Sequence, residues 1–320
     1  MNALVPRVVI VTRETEYEQL LARHATRGQA EFFLAERGQS IDLIEERDKQ
    51  HRSALHRLIS AIPGDWRRNL LKRQELDRFL FEPGDLIVAV GQDGLVANTA
   101  KYLSGQRVIG VNPDKDLYDG ILVPFSCEQA TKILVQAMHN DVGVQHRTMA
   151  QVELDDGQQL YALNELFIGH KSHQSARYTI QLGDKTERHS SSGVVVTTGT
   201  GATGWARSIH RERHDRLRLP LPEEDKLAFY VREAFPSVST FTGLTSGLVD
   251  KHNPLRLRSE LNDGGVIFGD GIENDYLAFD WGMVATFRVA SHKLSLVTPI
   301  ENSSAAEHGQ HENRLAADTA

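Results

Sequence analysis

Asp93 stands between two glycines in Gly91-Gln92-Asp93-Gly94, directly after the apolar run Leu86-Ile87-Val88-Ala89-Val90. A carboxylate in such a turn can take a proton from a hydroxyl or meet a metal ion. The preceding run, Asp85 to Val90, suits a buried parallel strand, and Leu95 to Leu103 suits a helix. A strand–turn–helix unit sets its turn at the carboxyl end of the strand, where open α/β sheets hold ligands. The turn amides and the helix N-terminus favour an anion there. An acid beside an anion site points to phosphoryl transfer to a hydroxyl, with Asp93 as base or metal partner. The tetrapeptide alone is equally an ordinary turn, because Asp and Gly suit turns.

Three more patches carry polar chemistry. Gly110-Val111-Asn112-Pro113-Asp114 is followed by Tyr118-Asp119-Gly120 and Leu122-Val123-Pro124-Phe125. Leu163-Asn164-Glu165-Leu166-Phe167-Ile168 sets an amide and an acid inside an apolar segment. Ser191-Ser192-Gly193 leads through Val194-Val195-Val196-Thr197 into Thr198-Gly199-Thr200-Gly201-Ala202-Thr203-Gly204-Trp205. This last patch reads as a buried strand opening into a Gly/Thr loop. Its glycines allow close backbone approach, and its hydroxyls can bind ribose or phosphate oxygens.

The elements that must position these residues fall into two textures. Arg7 to Thr12 reads as a first strand, Glu14 to Gly38 as helical, Ile41 to Ile62 as a long helix ending at Pro63-Gly64, and Trp66 to Leu80 as a third helix. Arg107 to Val111 is a short strand and Ser126 to Asn140 a helix. Strands alternating with helices imply a parallel sheet. After about residue 143 the segments shorten. Gln145 to Leu154, Gln159 to Ile168, Ala176 to Leu182, Gly193 to Thr198, Leu255 to Ser259, Gly265 to Phe268, Met283 to Val289 and Leu294 to Val297 read as strands. Asp155-Asp156-Gly157 and Leu182-Gly183-Asp184 suit hairpin turns. The expected organisation is an α/β domain over 1–141, a β-rich, mostly antiparallel domain over 142–298, and a polar disordered tail over 299–320.

Composition narrows the class. The 320 residues are 40% hydrophobic and 25% charged, enough for two cores and ordinary for a globular protein. The net charge of −7 argues against general nucleic-acid binding. Arg67, Arg68, Lys72 and Arg73 cluster on the expected third helix, and His210, Arg211, Arg213, His214, Arg216 and Arg218 crowd a second segment. Both read first as solvated faces. No apolar stretch suits a membrane span, and no signal-peptide layout is visible, so the expected location is cytoplasmic. The single cysteine, Cys127, reads as a small buried hydrophobe. His170 and His173 make a weak metal pair and read as surface histidines.

Taken in order, the patches resemble the NAD kinase family, whose motifs run Gly-Gly-Asp-Gly, Gly-(Ile/Val)-Asn, Asn-Glu, a Thr/Gly loop and a late Asp-Gly turn. Gly269-Asp270-Gly271 is similar to that late turn. Ser191-Ser192-Gly193 with Thr198-Gly199-Thr200-Gly201 and Trp205 resembles the mitochondrial-type variant. The resemblance spans Arg7 to Val297. It implies an α/β N-terminal domain with a parallel sheet, a β-rich C-terminal domain and an active site between them. It implies ATP-dependent phosphorylation of the adenosine-ribose 2′-hydroxyl of NAD, with Mg²⁺ accompanying ATP and a homodimer as the assembly. By position it makes Asp93 the general base and sets Gly91, Gln92 and Gly94 at the ATP phosphates. It assigns Asn112, Asn164, Glu165, Thr198, Thr200, Gly201, Thr203 and Trp205 to NAD. Two departures fall at the donor end. The family's Gly-Gly-Asp-Gly-Thr is Gly91-Gln92-Asp93-Gly94-Leu95 here. A positive φ at Gln92 would cost about 1–2 kcal/mol, and Leu95 removes a hydroxyl. These departures make a noncatalytic NAD(P)-binding protein or sensor the alternative. A lipid-type kinase shares the acidic turn, but the Asn164-Glu165 pair and the Thr/Gly loop speak against it.

Overall fold

The computed structural model describes residues 5–114 and 120–299; Tyr118, Asp119 and the tail beyond Pro299 lie outside them. The N-terminal half holds β1 (Arg7–Thr12), α1 (Glu16–His24), α2 (Arg27–Ala35), α3 (Ile41–Ala61), β2 (Arg67–Lys72), a 3-10 turn (Arg73–Arg78), β3 (Leu86–Val90), α4 (Asp93–Ala100), β4 (Arg107–Val111) and α5 (Cys127–Met138). The strands pair in parallel in the order β2-β1-β3-β4. β3 is buried along its whole length, as a strand covered on both faces must be. One side is packed by α4 with Leu95, Val96 and Ala100, the other by α3 and α5 with Ala54, Leu58, Ala130 and Leu134.

Local chemistry sets the helix ends. Thr15 and Glu18 form a capping box at the start of α1, and Ser126 with Gln129 does the same for α5. The expected single helix from Glu14 to Gly38 is two. Ala25 takes φ 62°, and the Thr26 side chain accepts the Gln29 amide, so a new helix starts there. The expected third helix at Trp66 to Leu80 is instead β2 and the 3-10 turn. The open edge of β1 supplies a ladder from Arg67 to Lys72 that outweighs helical pattern. Its charged residues guard that edge and pair locally, Arg67 with Glu82 at 3.0 Å and Lys72 with Glu14 at 3.4 Å.

The second half continues through β5 (Gly143–Leu154), β6 (Gln159–Ala162), β7 (Glu165–His170), β8 (Ala176–Leu182), β9 (Lys185–Ser191), β10 (Gly193–Thr197), α6 (Trp205–Glu212), β11 (Leu227–Arg232), β12 (Ser246–Val249), β13 (Leu255–Ser259), β14 (Gly265–Gly269), β15 (Tyr276–Ala278) and β16 (Val284–Thr298). The expected strand from Gln159 to Ile168 breaks at Leu163-Asn164, and the two expected last strands are one, β16. An antiparallel sheet runs β12-β11-β10-β7-β14-β15. β16 extends the other sheet: it pairs in parallel with β4 and antiparallel with β5 and β13, and β13 leads on to β8 and β9. The first sheet therefore continues across residue 142 as a mixed sheet, parallel up to the β4–β16 pair and antiparallel beyond it. Between the two sheets lies a core of Val152, Leu166, Ile180, Phe229, Leu257 and Phe287, each side chain stabilising the fold by roughly 1.5–3 kcal/mol when fully buried.

Cys127 is buried, donates to the Ala54 carbonyl at 3.4 Å, and burial pushes its thiol pKa up. In the second basic cluster, Arg213 donates to the Val231 carbonyl and Arg218 pairs with Glu224. No described helix is long and apolar enough to cross a membrane.

Candidate active site

The fold brings four chain segments to one cleft. The first is the end of β3. Gly91 and Gln92 follow the strand, and α4 begins at Asp93 rather than at Leu95. Gln92 takes φ −100° and ψ 169°, an extended conformation open to any residue, so the expected strain at this position is absent. Asp93 opens the helix, where partial positive charge favours an acid. Its two oxygens accept the amides of Ile121 at 3.0 Å and Leu122 at 2.8 Å. The carboxylate is thereby fixed in direction and keeps lone pairs toward the cleft.

The second segment is the break between β6 and β7. It carries Asn164 and Glu165 and is held from behind by Asp270, which follows β14. The Asp270 carboxylate accepts the amides of Leu163 at 2.8 Å, Asn164 at 2.7 Å and Glu165 at 3.3 Å. Asp270 adopts φ 53°, a left-handed value uncommon outside glycine, so the backbone bends to deliver this carboxylate. Its loop is tied to α4: Asn98 donates to the Asp270 carbonyl at 2.8 Å, and Lys101 and Tyr102 reach Asp275 at 2.7 and 2.6 Å. The helix that starts with Asp93 thus grips, at its far end, the loop that shapes Asn164 and Glu165.

The third segment follows β10. Thr198 is buried and does not line the cleft. Its hydroxyl donates to the Leu163 carbonyl and accepts the amides of Thr200 at 3.0 Å and Gly201 at 3.3 Å. A Cβ at Gly201 would stand 2.3 Å from the Asn164 carbonyl, so only glycine lets the loop close over that turn. Trp205 stacks on Phe167 at 5.8 Å, and the Arg232 guanidinium lies 5.1 Å from the Trp205 ring centre.

The fourth segment is β5, which contributes Arg147, a residue with no mark in the sequence motifs. Arg147 is 6% exposed. Its Nε donates to Gln145 at 3.0 Å and its Nη1 to Thr200 at 3.3 Å. Burial lowers its pKa, and the fields of Asp93 and Glu223 oppose that shift.

Together the cleft is lined by Asp93, Arg147, Asn164, Glu165, Thr200, Gly201, Thr203 and Trp205, with Ile121, Leu122, Gly204 and Pro222. Burial, with the nearby Asp270 charge second, pushes the Glu165 carboxyl up to about 7. Among the site residues expected from sequence, five stand elsewhere, the buried Thr198 being one. Gly91 and Gln92 line a separate cleft with Arg13, Arg47, His51, Pro113 and Asp114, and Gly94 lies exposed. Asn112 is buried at the end of β4, where its side chain accepts the Asp114 amide at 3.0 Å. Gln92 and Asp93, neighbours in the chain, therefore open on two different clefts. The described residues contain no group of three or more His, Cys, Asp or Glu that could hold a metal, His170 and His173 included.

No family model matches the chain. Curated relatives do. Mitochondrial NAD kinase 2 of Homo sapiens is 27% identical over 310 residues, spanning 71% of this chain and 70% of the relative. NAD kinase 2 of Bacillus cereus is 26% identical over 229 residues, spanning 68% and 79%. Over about two thirds of its length the chain is similar to NAD kinases. Solved structures of that family share its fold. An NAD kinase from Archaeoglobus fulgidus in complex with ATP superposes with a TM-score of 0.55 at 18% identity, over 92% of this chain and 94% of that one. Yeast NADH kinase complexed with NADH gives 0.56 at 15% identity, over 97% and 88%. The NAD kinase architecture of a parallel α/β sheet joined to an antiparallel β sheet is the one described above.

Proposed function

We propose that the protein is an NAD kinase, transferring the γ-phosphoryl group of ATP to the adenosine-ribose 2′-hydroxyl of NAD. What supports this reading is that Asp93, fixed by two amides, faces the same cleft as Asn164, Glu165, Thr200 and Trp205. In this reading Asn164 and Glu165 bind the adenosine, and the Thr200–Trp205 loop lines adenine and ribose. Asp93 takes the proton of the 2′-hydroxyl. The 2′-oxygen of the ribose forms the bond to the γ-phosphorus while the bond to the β–γ bridging oxygen breaks and ADP leaves. The ATP phosphates approach from the side of Gly91 and Gln92, where Arg13 and Arg47 stand among Glu16, Asp48 and Asp114. Magnesium enters as the counter-ion of ATP. A homodimer is the proposed assembly.

A coupled assay for NADP formation from NAD, run with ATP and separately with polyphosphate, tests the reading. NADP formation with either donor is the expected result. The alternative is a noncatalytic NAD(P)-binding protein. It draws support from Leu95, which packs in the core at 3% exposure where the family pattern has a hydroxyl. NAD binding without NADP formation under any donor would select that alternative.

A further inference from the structure

Arg147 is a buried cation that no ion pair neutralises among the described residues. Its hydrogen bonds go to two neutral side chains, Gln145 and Thr200, and no described carboxylate pairs with it. A guanidinium has five N–H donors. Two are used, and the remaining nitrogen, Nη2, has no partner among the described residues. Nη2 is also absent from the fully enclosed unpartnered atoms, so it meets the open space of the cleft. Removing an unpaired charge from water costs several kcal/mol, a cost that persists only where something else repays it. The same cleft carries Asp93, whose charge acts on Arg147 without a hydrogen bond or ion pair between them. A phosphate brought up to Asp93 would meet like charge, and among the described residues Arg147 is the one lining cation of that cleft able to offset it.

We propose that Arg147 is the counter-charge for the phosphoryl group as it arrives on the acceptor hydroxyl, so that the cleft holds a 2′-phosphorylated dinucleotide more tightly than an unphosphorylated one. This rests on the NAD kinase reading of the same site. Arg147 forms no covalent bond in the step. Its free N–H groups donate to the phosphoryl oxygens, and its bond to Thr200 couples that contact to the loop lining the ribose.

Calorimetry with NAD and with NADP on the wild type, Arg147→Gln and Arg147→Lys tests the proposal. Arg147→Gln is expected to lower NADP affinity by about 10- to 100-fold, the range for a lost charge-assisted hydrogen bond, and to leave NAD affinity within a fewfold. Arg147→Lys recovers part of the loss. Equal losses for both dinucleotides would reduce Arg147 to a support for Thr200 and overturn the proposal, as would no loss for either. If Arg147→Gln fails to fold, the wild type still decides: 2′-AMP must bind more tightly than adenosine, and parity overturns the inference. A wild type that binds neither NAD nor NADP defeats the NAD kinase reading itself, whereas one that binds NAD without preferring the 2′-phosphate defeats only the role of Arg147.

Discussion

The Asp270 carboxylate accepts the backbone amide of Asn164 at 2.7 Å, with the amides of Leu163 and Glu165 beside it. The side chains that meet the proposed adenosine are thus aimed by a carboxylate that does not itself line the cleft. Asp270→Asn isolates this contribution, because asparagine tolerates the φ of 53°. The Asn164 and Glu165 amides share one oxygen and keep it, while the amino group of the new side chain faces the Leu163 N–H. We expect a stability loss of roughly 1–3 kcal/mol and a parallel loss of NAD affinity. Thermal unfolding and calorimetry both unchanged would show that Asn164 and Glu165 hold their turn without it.

Asp93→Asn should separate chemistry from binding. The proton acceptor is lost, and turnover is expected to fall by about 10²–10⁴-fold. NAD affinity should stay within a fewfold, since Asn164, Glu165 and the Thr200 loop are untouched. One of the two amide bonds from Ile121 and Leu122 is also lost, so a small drop in melting temperature is expected. Near wild-type turnover would remove Asp93 from the role of base.

Glu165 supplies a pH signature. Its folded pKa of about 7 lies above the ordinary value of 4.5, so between these the folded state binds the proton more tightly than the unfolded chain. The resulting penalty is absent below about pH 4.5, grows as pH rises, and is complete above about pH 7. Glu165→Gln removes it. The variant should gain on the wild type between pH 5 and pH 8, by at least about 2 °C in melting temperature. Asp270, raised to about 6 chiefly by burial, leaves a residual slope of the same sign in both proteins. A melting-temperature difference that does not change with pH would show that Glu165 is ionised throughout.

Gln92→Gly tests the donor side. Gln92 has an extended backbone and makes no capping bond through its side chain, so glycine relieves no strain there. Glycine is itself an acceptable N-cap, and stability should change by only a few tenths of a kcal/mol. The ATP Michaelis constant should stay within a fewfold or improve. If the wild type makes no NADP with either donor while Gln92→Gly does, the natural protein is a binder whose phosphate side is blocked by this side chain.

The parts of the site that strong local patterns mark were legible. β3, the Asp93 turn, the Asn164-Glu165 pair and the Thr/Gly loop each couple an apolar run to polar residues, and seven of the expected site residues converge on one cleft. Arg147 left no such trace. Its burial depends on how the rest of the chain covers β5, and a lone arginine in a strand reads as exposed. Asp270 was visible only as an acid between two glycines, and its three amides belong to a segment a hundred residues away. β2 misled because its ladder is a tertiary gain. β9 and β15 are polar or very short and are missing from the expected strands, and so is Leu227–Arg232, although its apolar run is long enough to mark one.

The path of β16 has a consequence for synthesis. Arg107 of β4 must wait for Ser295 before its outer edge is paired, so nearly the whole chain leaves the ribosome before the first sheet is complete. Until then the edge of β4, apolar after Arg107, stays open to any neighbouring chain. A fragment ending before Val284 would carry Asp93, Asn164, Glu165 and the Thr/Gly loop yet lack this closing strand. Such a fragment is expected to precipitate, with every proposed catalytic residue present.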